Sequence, residues 1–171
     1  MKIIGISGSL RNDSYNTKVL KYAASLMEGV DFEIINIEAP LFNQDLEITK
    51  ELVNTQEKLS KADAILIVTP EYNHSVTGVL KNFIDWMSVE PHYPFDGKKV
   101  AIMSASMGML GGARAQLHLR QILTSIGANV IASHEVFVAN VHEKFDGETL
   151  VDERTKKNIK KMVDLLIDTN N

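Results

Sequence analysis

The densest group of polar side chains in the sequence lies in one short stretch near its start. From Gly8 to Thr17, the sequence contains serines, two asparagines, a threonine and one arginine at the start of a predicted helix. Neutral donors at a helix N-terminus suit a phosphate group, and the arginine adds charge-assisted hydrogen bonds, about twice as strong as neutral ones. Gly8 allows the backbone to turn sharply and approach a ligand. The predicted phosphate ligands are Ser9, Arg11, Ser14, Asn16 and Thr17.

Simpler explanations exist for parts of this stretch. Capping of the following helix would explain Ser14 or Asn16 alone, and the shape of a turn would explain Gly8. Together, the polar donors and the arginine exceed what a cap requires, so we interpret the stretch as a phosphate site. The G-x-G-x-x-G pattern of dinucleotide sites and the Gly-Lys-Ser/Thr of a P-loop are absent. Glu38 leaves a dinucleotide site as an alternative, because it follows the second predicted strand, where a ribose-binding acid would lie.

A second candidate loop, Thr69–Ser75, follows the third predicted strand. Pro70 fixes its own φ angle, so the following peptide groups are held as partners for the polar edge of a flat ligand, and Tyr72 offers an aromatic face. Glu71 and His74 are candidate acids or bases. For Glu71, a position near a helix N-terminus or at a subunit contact is the commoner role, and for His74, a surface or capping role is commoner, so no catalytic side chain is assigned. The site residues predicted in this loop are Pro70, Glu71, Tyr72 and Asn73.

A third candidate loop, Ser104–Arg114, follows the fourth predicted strand and is rich in glycine. Closely spaced glycines indicate positive φ angles or close contact between the main chain and a ligand. The alternative is a long mobile connection before a helix. The site residues predicted in this loop are Ser106, Gly108 and Gly111.

The elements that position these loops follow from an alternation of apolar runs and amphipathic segments. The predicted strands are Lys2–Ile6, Phe32–Ile37, Ala64–Thr69, Val100–Ser104 and a weaker Val130–Val138. The predicted helices are Asn16–Met27, Thr49–Lys61, Val76–Met87, Ala113–Ile126 and Asp152–Ile167. Strands that are nearly continuous in Ile, Val, Leu and Ala are typical of parallel sheets covered on both faces.

This alternation predicts an α/β fold: a flavodoxin-like doubly wound five-stranded parallel sheet in the order 2-1-3-4-5 with helices on both faces. A length of 171 residues predicts a single domain over residues 1–171. Ligands of such sheets bind beyond the carboxyl ends of the strands, and in this order FMN lies between the loops after strands one and three. The three candidate loops are therefore predicted to meet at one FMN site.

The composition excludes several other classes of protein. The absence of cysteine removes disulfides, thiolate nucleophiles, iron–sulfur clusters and thiolate zinc sites, so redox chemistry would need a bound cofactor and no metal is expected. A net charge of −4 argues against a nucleic-acid partner. The apolar runs are too short to span a membrane, and the strand-like start of the chain is unlike a signal peptide. A cytoplasmic protein is therefore expected.

On these motifs the chain resembles the NADPH-dependent FMN reductase family, which includes flavin-dependent quinone, azo-dye and chromate reductases. The resemblance covers nearly the whole chain. The fragments that carry it are Gly8–Arg11 with Ser14 and Asn16 for the phosphate loop, Pro70–Asn73 with Leu80–Asn82 for the flavin loop, and Gly111–Ala115 for a third signature. Three fragments in order at consistent spacing make the resemblance specific.

The resemblance implies a bound FMN, NADPH or NADH as hydride donor, and a homodimer or homotetramer. It implies that the first-loop ligands hold the FMN phosphate, while Pro70–Asn73 and Ser106–Gly111 border the isoalloxazine. Met107 and Met109 are bulkier than the residues usual in this loop, which bears on acceptor preference.

The expected function is transfer of hydride from NAD(P)H through FMN N5 to a small acceptor by a ping-pong mechanism. The acceptor is a quinone, azo compound, nitro compound, chromate or free flavin. The alternative is a flavodoxin-type electron carrier without enzymatic activity. Carriers have strongly acidic surfaces, whereas 22 acidic against 18 basic residues is a mild excess, so the enzyme is favoured. A third possibility, a nucleotide-responsive regulatory protein, depends on Glu38 alone.

Overall fold

A parallel sheet lies at the centre of the protein in the computed structural model, which describes residues 1–168. Its main strands are β1 (Lys2–Ser7), β2 (Asp31–Ile35), β3 (Ala64–Thr69), β4 (Lys99–Ala105) and β5 (Asn129–Val130). Their order is β2-β1-β3-β4-β5 and every neighbouring pair is parallel. The predicted fold class and strand order are confirmed.

Within the described residues, five α-helices connect or follow these strands, close to their predicted positions. They are α1 (Tyr15–Ser25), α2 (Lys50–Ser60), α3 (Gly78–Met87), α4 (Ala113–Ser125) and α5 (Glu153–Ile167). Four of the five begin at a residue whose side chain accepts a hydrogen bond from the first turn; these N-caps are Ser14, Thr49, Thr77 and Asp152. A side-chain N-cap satisfies backbone donors that the helix itself leaves unpaired. In α4 the N-cap position is Gly112, which has no side chain to offer.

Two apolar layers hold the helices against the sheet. Successive side chains of a strand point to opposite faces, and the adjacent residues Ile3 and Ile4 of β1 belong to different clusters. The cluster of Ile3 includes side chains of α1 and α5, and that of Ile4 includes side chains of α2, α3 and α4. Burial on both faces explains why β1, β3 and β4 are apolar along most of their length. The predicted helices on both faces are thereby confirmed.

The prediction of one weak strand from Val130 to Val138 is wrong, because the strand is interrupted in its middle. It consists of two short strands, β5 and β6 (Val136–Val138), which pair with different parts of β4. Between them, Arg120 of α4 donates a hydrogen bond from Nη1 to the Ile131 carbonyl at 2.8 Å, and its Nη2 lies 3.7 Å from Glu135 Oε1. Arg120 thus contacts the segment between β5 and β6 near both of its ends.

The segment between β6 and α5 contains structure that the sequence patterns did not predict. A 3-10 helix, Val141–Glu143, is followed by a hairpin of β7 (Phe145–Asp146) and β8 (Thr149–Leu150). The predicted single domain extends to residue 171, and residues 169–171 lie outside the described range. None of the helices within residues 1–168 combines the length and the apolar character that a membrane span requires.

Candidate functional site

The carboxyl ends of β1, β3 and β4 surround a cavity of about 160 Å³. Eight of the predicted site residues line it: Ser9, Arg11, Ser14, Asn16, Pro70, Glu71, Tyr72 and Ser106. The other four, Thr17, Asn73, Gly108 and Gly111, lie in the same loops but not on the cavity wall. The structure therefore brings residues of all three predicted loops together at one place.

Gly8 is required where β1 ends beside β3. A Cβ atom on Gly8 would lie 2.7 Å from Thr69 Oγ1, too close for any other residue to fit without a shift. The Gly8 N–H donates to the Val68 carbonyl at 2.8 Å, and Thr77 Oγ1 donates to the Gly8 carbonyl at 2.7 Å. The close approach predicted for this glycine is therefore made to the neighbouring strand.

Ser14 and Asn16 are buried and already hold parts of the fold in place. Ser14 Oγ accepts a hydrogen bond from the Thr17 N–H at 3.4 Å, which leaves the serine hydroxyl hydrogen available to a ligand. The Asn16 side chain bonds the Ala105 backbone in both directions, donating to its carbonyl at 3.0 Å and accepting from its N–H at 2.9 Å. Asn16 thus fixes the start of α1 to the end of β4.

Thr17 turns its hydroxyl away from the cavity. Its Oγ1 lies 2.8 Å from Ser7 Oγ at the end of β1, within hydrogen-bond distance. That contact ties the first turn of α1 to the strand that precedes it. The structure therefore gives Thr17 an internal partner instead of a place on the cavity wall.

The two cations of the first loop have different surroundings. Lys18 Nζ is bound by Asp13 at 2.6 Å and by Glu148 of the hairpin at 2.9 Å. These hydrogen bonds raise the pKa of Lys18, and the hydrogen bond from Lys18 lowers the pKa of Asp13. Arg11 lies exposed on the cavity rim. The permanent positive charge that faces the cavity is therefore that of Arg11.

The second loop contains a tight turn with an unusual backbone. Tyr72 and Ser75 exchange two backbone hydrogen bonds at 3.1 and 3.0 Å, and the residues between them, Asn73 and His74, have φ angles of 49° and 66°. Two successive positive φ angles are the signature of a type I′ turn. This turn places Tyr72 on the cavity and carries Asn73 to its exposed apex.

Glu71 caps a helix that belongs to another loop. Its Oε2 accepts hydrogen bonds from the backbone N–H groups of Arg114 at 3.1 Å and Ala115 at 3.4 Å, and its Oε1 accepts from Arg114 Nε at 2.7 Å. Because α4 begins at Gly112 without its own side-chain cap, this carboxylate supplies the missing partner and compensates the positive end of the helix dipole. Glu71 therefore joins the second loop to the third.

The glycines of the third loop are explained by packing. Gly111 and Gly112 have φ angles of 58° and 88°. A Cβ on Gly111 would lie 2.8 Å from the Ala139 nitrogen, and one on Gly112 would lie 2.7 Å from Ser104 Cβ. At Gly108 a Cβ would meet only Ser106 Oγ, at 3.5 Å.

The third loop is also bonded to the segment that follows β6. The Ser106 N–H donates to the Val138 carbonyl at 3.0 Å, and the Ser106 carbonyl accepts from Val141 N–H at 3.1 Å. Asn140 N–H donates to the Gly108 carbonyl at 3.2 Å. This loop is therefore tied to its neighbour through backbone hydrogen bonds, which argues against the long mobile connection considered from the sequence.

Three residues on the cavity wall were not predicted: Tyr15, Ala105 and Val141. Met107, also on the wall, lies within the range Ser106–Gly111 that the family resemblance implied. Tyr15 stands between two predicted ligands in the sequence, so its position was a usable signal. Its ring packs against Phe145 of the hairpin, with the centroids 5.6 Å apart. Val141 carries no such signal, because it reaches the cavity only through the backbone pairing of its segment with Ser106.

Comparison with known proteins gives a consistent family. Residues 1–143 match the family model described as NADPH-dependent FMN reductase. The chain is 41% identical to an NAD(P)H-dependent FMN reductase of Pseudomonas aeruginosa, over 97% of this chain and 93% of that protein. It is 40% identical to a quinone reductase of Escherichia coli K12, over 87% of this chain and 83% of that protein.

A solved structure is also similar over nearly its whole length. It is FerB from Paracoccus denitrificans, described as a flavoenzyme NAD(P)H:(acceptor) oxidoreductase. The TM-score is 0.89 and the sequence identity 32%, and the similarity covers 98% of this chain and 95% of that one.

Proposed function

The chain belongs to the NADPH-dependent FMN reductase family, and on that premise we propose that it binds one FMN at the cavity and transfers hydride from NAD(P)H to small acceptors. FMN supplies the redox chemistry when bound, because its N5 accepts a hydride and gives it up again. The observation that carries the proposal is the cavity itself, which joins a guanidinium, hydroxyl groups and a helix N-terminus at the ends of three parallel strands.

The donors of the first loop fit a phosphate. The first turn of α1 contains no acidic residue, and the neighbouring carboxylates of Asp13 and Glu71 are paired with Lys18 and Arg114. The positive end of the helix dipole therefore favours an anion here. Arg11 offers a permanent charge and a fork of N–H donors, and Ser9 and Ser14 offer hydroxyl groups beside it. In this proposal these three side chains hold the FMN phosphate. Asn16 and Thr17 act behind them by fixing the start of α1 to β4 and β1.

The second and third loops fit the edges of a flat ring. Pro70, Tyr72 and Ser106 line the cavity wall beyond the phosphate donors, and we assign them to the isoalloxazine border. Glu71 holds this part of the wall against α4, while Asn73 shapes its turn. Gly108 and Gly111 contribute through the fixed course of the third loop. No side chain is needed for proton transfer at the reacting atoms.

The wall leaves one side of the site open to visiting molecules. Tyr72 is 48% exposed and Met107 is 61% exposed, so both border the cavity at its mouth. Donor and acceptor would therefore visit the same open face in turn, which is the basis for proposing a ping-pong mechanism. Quinones are our preferred acceptors, because relatives of this chain are named as quinone reductases. The names of these relatives also favour an enzyme over an electron carrier.

Steady-state kinetics test this mechanism. With the FMN-loaded protein, NADPH oxidation is measured at several fixed concentrations of 1,4-benzoquinone. Parallel double-reciprocal lines are expected, because the first product leaves before the acceptor enters. Intersecting lines would show that both substrates are bound together and would overturn the ping-pong mechanism. An absence of NADPH oxidation would favour the electron carrier.

We also propose that the chain assembles as a homodimer or homotetramer. Support comes from exposed apolar side chains beside the site, Met109 at 85%, Leu110 at 53% and Leu117 at 60%. Clustered exposed apolar residues favour protein contacts. Sedimentation velocity of the FMN-loaded protein tests this, and a single monomeric species at micromolar concentration would contradict it.

A further inference from the structure

A second groove adjoins the cavity on the α3 side. It measures about 360 Å³ and is lined by Gly8, Ser9, Leu10, Arg11, Tyr72, Thr77, Gly78 and Val79. Ser9, Arg11 and Tyr72 also line the cavity at the carboxyl ends of the strands. The two spaces are therefore contiguous across these side chains.

The groove is apolar away from the border that it shares with the cavity. Leu10 is 50% exposed, and Val79 is half-buried. The hydroxyl of Thr77 is engaged inside the protein, since it donates to the Gly8 carbonyl at 2.7 Å and accepts from the Leu80 N–H at 3.2 Å. A polar substituent would thus find few hydrogen-bond partners here, whereas an alkyl substituent would contact Leu10, Val79 and the ring of Tyr72.

The groove has open space beside Gly78. Gly78 is the first residue of α3, and a Cβ at this position would have no neighbouring atom within 4 Å. The backbone of Gly78 does not have a positive φ angle, so a larger residue can be introduced without backbone strain. This offers a way to fill the groove without disturbing the fold.

We infer that this groove binds the apolar substituent of a quinone whose ring lies at the open face of the site. The inference rests on the proposed function and makes the substrate class narrower: alkyl-substituted quinones are preferred over quinones without a side chain. Two observations support this: the groove continues into the cavity at the strand ends beside Tyr72, and the lining of the groove is apolar. Leu10 and Val79 are then specificity-determining residues, and the step that they influence is acceptor binding.

A homologous series of 2-alkyl-1,4-benzoquinones tests the inference. Their rings share the same reactive carbonyl groups, so differences along the series report chiefly on contacts of the side chain. With the FMN-loaded protein and saturating NADPH, kcat/KM is expected to rise with chain length by up to about fourfold per added methylene, equivalent to about 0.8 kcal/mol for full burial. The rise stops when the groove is filled. A kcat/KM that does not change from methyl to hexyl would overturn the inference.

Variants of residues that line the groove show where the alkyl chain of the quinone binds. Gly78→Leu is expected to flatten the dependence on chain length by filling the groove, and Leu10→Ser is expected to reduce it by removing apolar contact. Leu41→Ser is the matched control, because Leu41 is 84% exposed and does not line the groove. Gly78→Leu with the dependence of the parent protein would place the substituent elsewhere and contradict the inference.

The same preparations separate this inference from the proposed function. Bound FMN is measured by its visible absorption, and NADPH oxidation is measured with unsubstituted 1,4-benzoquinone. If both are present in the parent protein but chain length has no effect, only the groove inference fails. If FMN does not bind or NADPH is not oxidised, the proposed function fails first.

Discussion

The loops after β1 and β4 border the same cavity, but their distinctive residues have different roles. In the first loop, Ser9 and Arg11 line the cavity. In the third loop, Gly111 and Gly112 are turned toward the protein, where their missing side chains allow contact with Ala139 and Ser104. A glycine-rich loop at a strand end therefore need not touch a ligand. Donors beside a helix N-terminus with no acidic first turn are the more informative signal of an anion site.

The largest effect is expected from adding a side chain to the third loop. Gly111→Ala introduces a Cβ at a positive φ angle and 2.8 Å from a backbone nitrogen. Strain and overpacking together should lower the free energy of unfolding by about 2–6 kcal/mol. The measurement is urea denaturation of the FMN-free protein. Gly108→Ala is the control, because its Cβ has room and its φ is not positive.

If Gly111→Ala and Gly108→Ala have equal stability, the packing explanation of the third loop is wrong. A loss of FMN affinity in Gly111→Ala at unchanged stability would instead indicate direct contact with the ligand. Either result would remove the contrast between the first and third loops.

A smaller free-energy change, confined to binding, is expected in the first loop. Arg11→Ala should weaken FMN binding by roughly tenfold or more, because one charge-assisted hydrogen bond contributes about 1.5–3 kcal/mol. The exposed position of Arg11 predicts little change in the stability of the FMN-free protein. Flavin fluorescence titration measures the affinity, with Arg154→Ala in α5 as the control. Unchanged affinity would exclude Arg11 from the phosphate site.

Glu71 provides an intermediate case, since it lines the cavity and also caps α4. Glu71→Gln keeps one acceptor oxygen but removes the negative charge beside the N-terminus of α4 and the ion pair with Arg114. It should lower the free energy of unfolding by about 0.3–1 kcal/mol, the usual range for a charge at a helix end. Thermal unfolding of the FMN-free protein measures this loss. Glu38→Gln, at an exposed carboxylate, is the control and should change stability little. Full stability with reduced FMN affinity would mean that Glu71 acts on the ligand and not as a cap.

The smallest effect is expected from the ion pair between Lys18 and the exposed Asp13. Lys18 lowers the pKa of Asp13 below its ordinary value of 3.8. A carboxylate with a depressed pKa contributes stability above its ordinary pKa and loses that contribution as pH falls through the folded-state value. Melting temperatures of the parent protein and Asp13→Asn should therefore differ slightly at pH 6 and converge below pH 3.8. A difference that grows toward acid pH would contradict the assignment.

The apolar pattern of the chain was sufficient to predict the sheet. Runs such as Ala64–Thr69 are buried on both faces, so their composition reports their position directly. The fifth strand was less predictable, because the segment that interrupts it makes its contacts with Arg120, which belongs to another element. The hairpin after β6 was not predicted, because its strands have only two residues each.

The candidate site was predictable where a local motif carries it. Ser9, Arg11, Pro70 and Tyr72 were placed on the cavity by their position after a strand. The internal partners of Asn16 and Thr17 were not predictable, because they belong to Ala105 and Ser7 in neighbouring strand ends. These partners are set by the strand order and register of the sheet, which a local sequence motif does not determine.

The most direct test of the account is the visible absorption spectrum of the protein before and after anaerobic addition of NADPH. We expect the spectrum of one bound FMN per chain, and loss of its long-wavelength band when NADPH is added. A colourless protein that takes up no added FMN, or a bound FMN whose spectrum NADPH leaves unchanged, would contradict the account.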